Sequence, residues 1–172
     1  ADFTVTATDD YSLESTACDL DDETVTCDDQ FDNLAEGSHE FTATVTDEAG
    51  NSAYASYTWY IDLTEPTVSI TDTPNDPTNS DSVDFTVTSS DDDGSGLAST
   101  SCTLDSAAVT CGDSASGLAE GSHSYVATAT DAAGNSASAT HTWVVDTIAP
   151  SVSVSGPDSP SASADADMTV TS

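Results

Sequence analysis

Not one lysine or arginine occurs among 172 residues, against 32 aspartates and glutamates, and the formal charge is -32. Ordinary usage would supply on the order of 20 basic residues, so the absence reflects selection rather than chance. Polyanions are repelled by such a chain, which excludes nucleic acid and anionic lipid surfaces as partners. No apolar run approaches the roughly 20 residues of a membrane-spanning helix, so no membrane insertion is expected. Helical periodicity is missing throughout. Also missing are a G-x-S-x-G elbow, an acid pair and a cofactor loop, and the chain is therefore read as non-enzymatic. Short C-x-x-C spacings, which a zinc site needs, are lacking too.

What is present is a repeat. "DEAGNSAYASYTWYID" at 47–62 returns 84 positions later as "DAAGNSASATHTWVVD" at 131–146. "DFTVT" at 2–6 returns at 84–88 and, as "DMTVT", at 167–171. A period of 82 to 84 residues is too long for a solenoid and suits one sandwich domain per repeat. The expected division is 1–66, a repeat lacking its first strand; 67–150, a complete repeat; and 151–172, the first strands of another. The first residue already reads as a strand edge, which marks the sequence as a stretch of a longer chain.

Within each repeat the acids are dispersed among apolar residues with period two, so the chain is expected to fold once its charge is screened. "HEFTATVT" sets His39, Phe41, Ala43 and Val45 on one face, and the second copy does so with His123, Tyr125, Ala127 and Ala129. "DEAGN" and "DAAGN" supply hairpins, with Gly50 and Gly134 at the left-handed position. The next strand is expected to turn Ala53, Ala55, Tyr57, Trp59 and Ile61 inward, echoed by Ala137, Ala139, His141, Trp143 and Val145. Burial of those rings argues against a carbohydrate platform. His39 and His123 begin equivalent strands, where an imidazole can pin the corner to nearby backbone.

Four cysteines form two pairs of identical spacing, Cys18 with Cys27 and Cys102 with Cys111. If the partners face each other, Leu20 faces Val25 and Asp22-Glu23 make the turn, with Ser106-Ala107 turning in the second copy. That register suits a disulfide within one hairpin, which implies an oxidising, extracellular or cell-surface location.

These motifs together, "CDLDDETVTC", "NLAEGSHEF", "DEAGN" and "TWYIDLTEP", resemble the bacterial Ig-like repeats of large secreted surface proteins and adhesins. The resemblance implies an all-β fold of tandem Ig-like antiparallel β-sandwiches. It implies a structural role in an extracellular stalk, filament or adhesin shaft. The partners would be neighbouring repeats of the same chain, with lateral or end-to-end self-assembly. A calcium-dependent adhesion module and a carbohydrate-binding accessory module of a secreted protein are the alternatives.

"DDDGSG" at 91–96 fails the EF-hand pattern, because Ser89 and Thr100 occupy its first and twelfth positions. In an Ig-like sandwich, however, this loop and "DAAGN" lie at the pole where the chain enters through "DLTEP". Asp62, Glu65, Asp91, Asp92, Asp93, Asp131 and Asn135 are thereby expected at one junction, where calcium is the candidate cofactor.

Overall fold

The computed structural model describes residues 1, 3–92 and 94–154. All of its regular structure is β. In chain order the strands are β1 (Leu13–Leu20), β2 (Glu23–Val25), β3 (Gly37–Asp47), β4 (Ser52–Ile61), β5 (Thr67–Thr71), β6 (Thr86–Ser90), β7 (Leu97–Leu104), β8 (Ala107–Val109), β9 (Gly121–Asp131) and β10 (Ser136–Val145). They build one antiparallel sheet in the order β2-β1-β3-β4, a second in the order β10-β9-β7-β8, and a two-stranded sheet of β5 and β6. The result is two sandwich-like units, each holding one disulfide. Residues 151–154 form no strand, and the strand expected at 167–171 lies outside the described residues.

Alternation dictates the second unit's core. Along β9, His123, Tyr125, Ala127, Ala129 and Asp131 are all buried, and every residue between them is only half-covered. β5 and β6 close over this face. Phe85 stacks on Tyr125 at 4.0 Å between ring centroids, Trp143 lies beneath Phe85, and Val68 and Ile70 pack against the same cluster. Trp143 is 1% exposed, so it offers no ring face to a sugar.

The first unit repeats the four-stranded layer but not its cover. Phe3 stacks on Phe41 at 4.3 Å and meets Trp59 at 5.1 Å, as the repeat predicts. Ala53, Ala55 and Tyr57 were expected inward; they are exposed, Tyr57 by 62%. Their counterparts Ala137, Ala139 and His141 are half-buried. The sequence pattern gives the side of the sheet, but burial needs a second layer, and no described strand supplies what β5 supplies in the second unit.

The cysteine hairpins close differently from the expected register. Cys18 pairs with Val25 and Leu20 with Glu23, and the second copy pairs Cys102 with Val109 and Leu104 with Ala107. The turns are therefore Asp21-Asp22 and Asp105-Ser106, all four with positive φ between 49° and 70°. Such a two-residue turn matches the strand twist and favours Asp, which tolerates the left-handed region. The disulfides still form, Cys18–Cys27 with Cα atoms 5.2 Å apart and Cys102–Cys111 at 5.1 Å, because Cys27 and Cys111 lie past the ends of β2 and β8 and reach back.

Candidate metal centre at the junction of the units

Asp62 follows the last strand of the first unit, yet two of its three partners belong to the second. Its Oδ2 accepts from the Ser95 N–H at 2.6 Å and its Oδ1 from the Thr64 N–H at 3.1 Å, while its main-chain carbonyl accepts from Asn135 Nδ2 at 3.1 Å. The Ser95 side chain, then its N–H, and the Thr64 N–H hold the Asp62 carboxyl below the usual carboxylate range against the opposing effect of burial. It is 6% exposed.

Asp131 ends β9 and is 2% exposed. Its Oδ1 accepts from the N–H groups of Gly134 and Asn135, at 2.6 and 2.8 Å, and its Oδ2 from Asn135 Nδ2 at 2.8 Å. This is the usual Asx-turn use of an aspartate at a hairpin start, with the carboxylate then fixed in place. Asp91 leaves β6 and accepts from the Gly96 N–H at 2.7 Å. The three loops converge so that one oxygen each from Asp62, Asp91 and Asp131 lies within 4.8 Å of the others.

Gly94 makes room for that convergence. A Cβ there would lie 2.6 Å from Asp62 Oδ2 and 2.8 Å from Asp91 Oδ2. The electrostatic situation is one-sided, because the chain has no Lys or Arg to offset three clustered carboxylates. His123 sits at the other end of β9, about 27 Å away at the rise of a strand. The donor set is all oxygen and all hard, which fits calcium or another hard divalent cation rather than a thiophilic one.

Among the seven residues expected at the junction, Asp62, Asp91 and Asp131 meet. Glu65 and Asp92 are exposed and stand outside the group, and Asp93 lies outside the described residues. Asn135 donates its NH₂ to Asp131 and to the Asp62 carbonyl and so positions the cluster. Ser95, which the sequence did not single out, is as closely involved, and so is Gly94, which the sequence marked only as the turn position of a failed EF-hand pattern. In the first unit Asp47 and Asn51 repeat the pairing of Asp131 with Asn135, through Asn51 N–H to Oδ1 at 2.8 Å and Nδ2 to Oδ2 at 2.7 Å. No described residue stands there in the role of Asp62.

The histidines form a second, structural constellation. His39 Nδ1 lies 2.7 Å from Asp21 Oδ2 and its Nε2 lies 2.8 Å from the Ala35 carbonyl; His123 has the same distances to Asp105 and Ala119. Carboxylate and carbonyl oxygens accept, so the arrangement favours a hydrogen on both ring nitrogens, the imidazolium form. The pKa of each is raised, first by the carbonyl and then by the carboxylate. Asp21 is held low by His39 and then by the Glu40 N–H. For Asp105 burial pushes upward, and the bonds from His123 and the Ser124 N–H outweigh it. Both nitrogens of each ring are engaged in these contacts, which pin the corner. The aspartates in these pairs escaped the sequence reading, although "CDLD" and "CTLD" share that last residue.

Neither a family model nor a curated protein matches the sequence. Among solved structures, the chain is similar to the fibronectin(III)-like modules of CbhA from Clostridium thermocellum, with 16% identity over 81% of this chain and 82% of that one and a TM-score of 0.42.

Proposed function

We propose that the chain is a structural segment of an extracellular stalk, filament or adhesin shaft built from tandem Ig-like repeats dividing near residues 66 and 150, and that calcium stiffens the joint between them. The observation that carries this reading is the convergence of Asp62, Asp91 and Asp131, far apart in sequence, across a covalent junction. Calcium takes six to eight oxygens at about 2.3 to 2.6 Å. Three carboxylates, with water or neighbouring carbonyls, meet that need, and the ion replaces mutual repulsion by a common attraction. Two disulfides in short hairpins support a location outside the reducing cytoplasm. The role needs no chemistry, only reach: a sandwich with strands of about ten residues spans roughly 35 Å.

The test is thermal unfolding and small-angle scattering with calcium and with excess chelator, at one ionic strength. A higher Tm and a larger maximum dimension with calcium, both lost in Asp131→Asn, support the reading. If calcium changes neither quantity, packing and salt screening hold the joint and the metal assignment falls.

A further inference from the structure

One position at which the two copies of the repeat differ leaves a hole in the second. Phe31 corresponds to Ala115 at the 84-residue spacing, within "FDNLAEGSH" at 31–39 and "ASGLAEGSH" at 115–123. The main chain is held alike at both. Ala115 N–H donates to the Val83 carbonyl and Val83 N–H to the Ala115 carbonyl, each at 2.9 Å. Phe31 N–H donates to the Ala1 carbonyl at 3.1 Å, and the Ala1 nitrogen donates back to the Phe31 carbonyl at 2.6 Å. The two side chains therefore start from equivalent places.

In the first unit the Phe31 ring lies against the stacked pair Phe3 and Phe41, with centroids 6.3 and 6.0 Å away. In the second unit Phe85 and Tyr125 form the equivalent stack, but Ala115 brings only a methyl group to it. The missing ring leaves a pocket of about 210 Å³, walled by Phe85, Leu104, Val109, Ala115 and Tyr125. An apolar cavity of about 150 Å³ is enough to hold a benzene ring. Tyr125 is fixed as a wall, since its hydroxyl accepts from the Gly112 N–H at 3.1 Å. It lies six residues before Asp131 on β9, roughly 20 Å at the rise of a strand, so the pocket is separate from the carboxylate cluster. At the mouth stand Thr110, Asp113 and Ser114, all exposed. Among the described residues the ion pairs are His39 with Asp21 and His123 with Asp105, so the Asp113 carboxylate faces solvent with no cation beside it.

We propose that this pocket binds an aromatic side chain of a basic partner polypeptide, its ring against Phe85 and Tyr125 and a neighbouring lysine or arginine at Asp113. The first unit shows the fit, because a phenylalanine on an equivalently held stretch of main chain occupies the same place. Burying the ring removes apolar surface from water, and offset or tilted contact with two further rings adds to that gain. Charge selects the sign of the partner. A carboxylate at the mouth, with a formal charge of -32 on the chain behind it, attracts a basic segment and repels an acidic one. The inference does not rest on the cation reading of the junction.

The peptide acetyl-Lys-Phe-Lys-amide, titrated into the full chain at a fixed ionic strength of about 0.15 M with backbone amide shifts followed by NMR, tests this. The expected result is saturable shifts at the amides of Gly112, Asp113 and Ala115. Acetyl-Lys-Ala-Lys-amide keeps the charge without the ring, acetyl-Glu-Phe-Glu-amide keeps the ring and reverses the charge, and each binds at least about tenfold more weakly. Ala115→Phe supplies the missing ring from within, so it keeps or raises the Tm and weakens peptide binding by at least about tenfold. Should that variant fail to fold, the smaller Ala115→Leu gives the same loss. Asp113→Asn leaves the Tm unchanged and weakens binding of the basic peptide. A wild-type chain that shows no saturable shifts at tens of millimolar peptide overturns the proposal. So does equal binding of acetyl-Lys-Ala-Lys-amide, which marks general attraction to an acidic surface, and so does binding that persists in a folded Ala115→Phe or Ala115→Leu.

Discussion

His123 and Asp105 meet at 2.7 Å across 18 residues of sequence, and His39 and Asp21 repeat the contact at the same distance and separation. Each pair ties the left-handed hairpin turn to the start of the long central strand. The Asp105 carboxylate uses its other oxygen on the Ser124 N–H at 2.9 Å, and Asp21 does so on Glu40.

Stability should accordingly have two pH limits. The raised histidine pKa gives a contribution complete below the ordinary value near 6.5 and lost as pH rises through the folded-state value. The lowered aspartate pKa gives one present above the ordinary carboxylate range and lost as pH falls through the folded-state value. In Tm measurements at fixed salt with chelator present, the wild type should decline on the alkaline side and His39→Gln/His123→Gln should start lower and decline less. Parallel curves above pH 6.5 for the two proteins would count against the imidazolium assignment.

The two disulfides should leave no thiol for alkylation without reductant, as intact mass can show. Each closes a loop of sequence separation 9. Cys102→Ser/Cys111→Ser should cost about 2.5 to 3 kcal/mol in chemical unfolding on the chain-entropy model. A loss under about 0.5 kcal/mol would mean that the reduced chain already holds the hairpin.

The two tryptophans occupy the same repeat position but not the same environment. Trp143→Ala removes a side chain enclosed by Phe85 and His123 and should cost about 3 to 5 kcal/mol. Trp59 is only half-buried, so Trp59→Ala should cost distinctly less. Unfolding followed by tryptophan fluorescence in the two single variants separates them, and equal losses would contradict the uncovered first unit.

Gly94→Ala tests the crowding at the junction. The new methyl group must displace the carboxylates of Asp62 and Asp91, both held by backbone N–H groups. The rise in Tm with calcium should shrink or vanish, while the Tm in chelator falls by a few degrees, as about 1 kcal/mol implies for a domain of this size. An unchanged calcium response would place the ion elsewhere.

Much of this architecture could be read from the residues because period-two alternation reports directly which side of a strand faces in. His39, Phe41, His123 and Tyr125 are buried as that pattern requires. The exposed Ala53, Ala55 and Tyr57 show where the inference stops, since a sheet face is covered only if another segment reaches it. The hairpin turns shifted from Asp22-Glu23 to Asp21-Asp22 because pairing followed the residues that tolerate positive φ, and cysteine symmetry did not fix it. At the junction, loop position brought Asp62, Asp91 and Asp131 together, but backbone direction sent Glu65 and Asp92 to solvent. No spacing rule contains that direction.

The buried Asp62 has a consequence for how the chain bends. It sits one residue past β4, yet the groups that hold it, Ser95 and Asn135, both belong to the unit that follows. Two residues further on, Thr64 Oγ1 donates to Glu36, just before β3 of the preceding unit, at 2.8 Å to each carboxylate oxygen. The linker is thus pinned from both sides within three residues, and a bend at this joint must break bonds to one unit or the other.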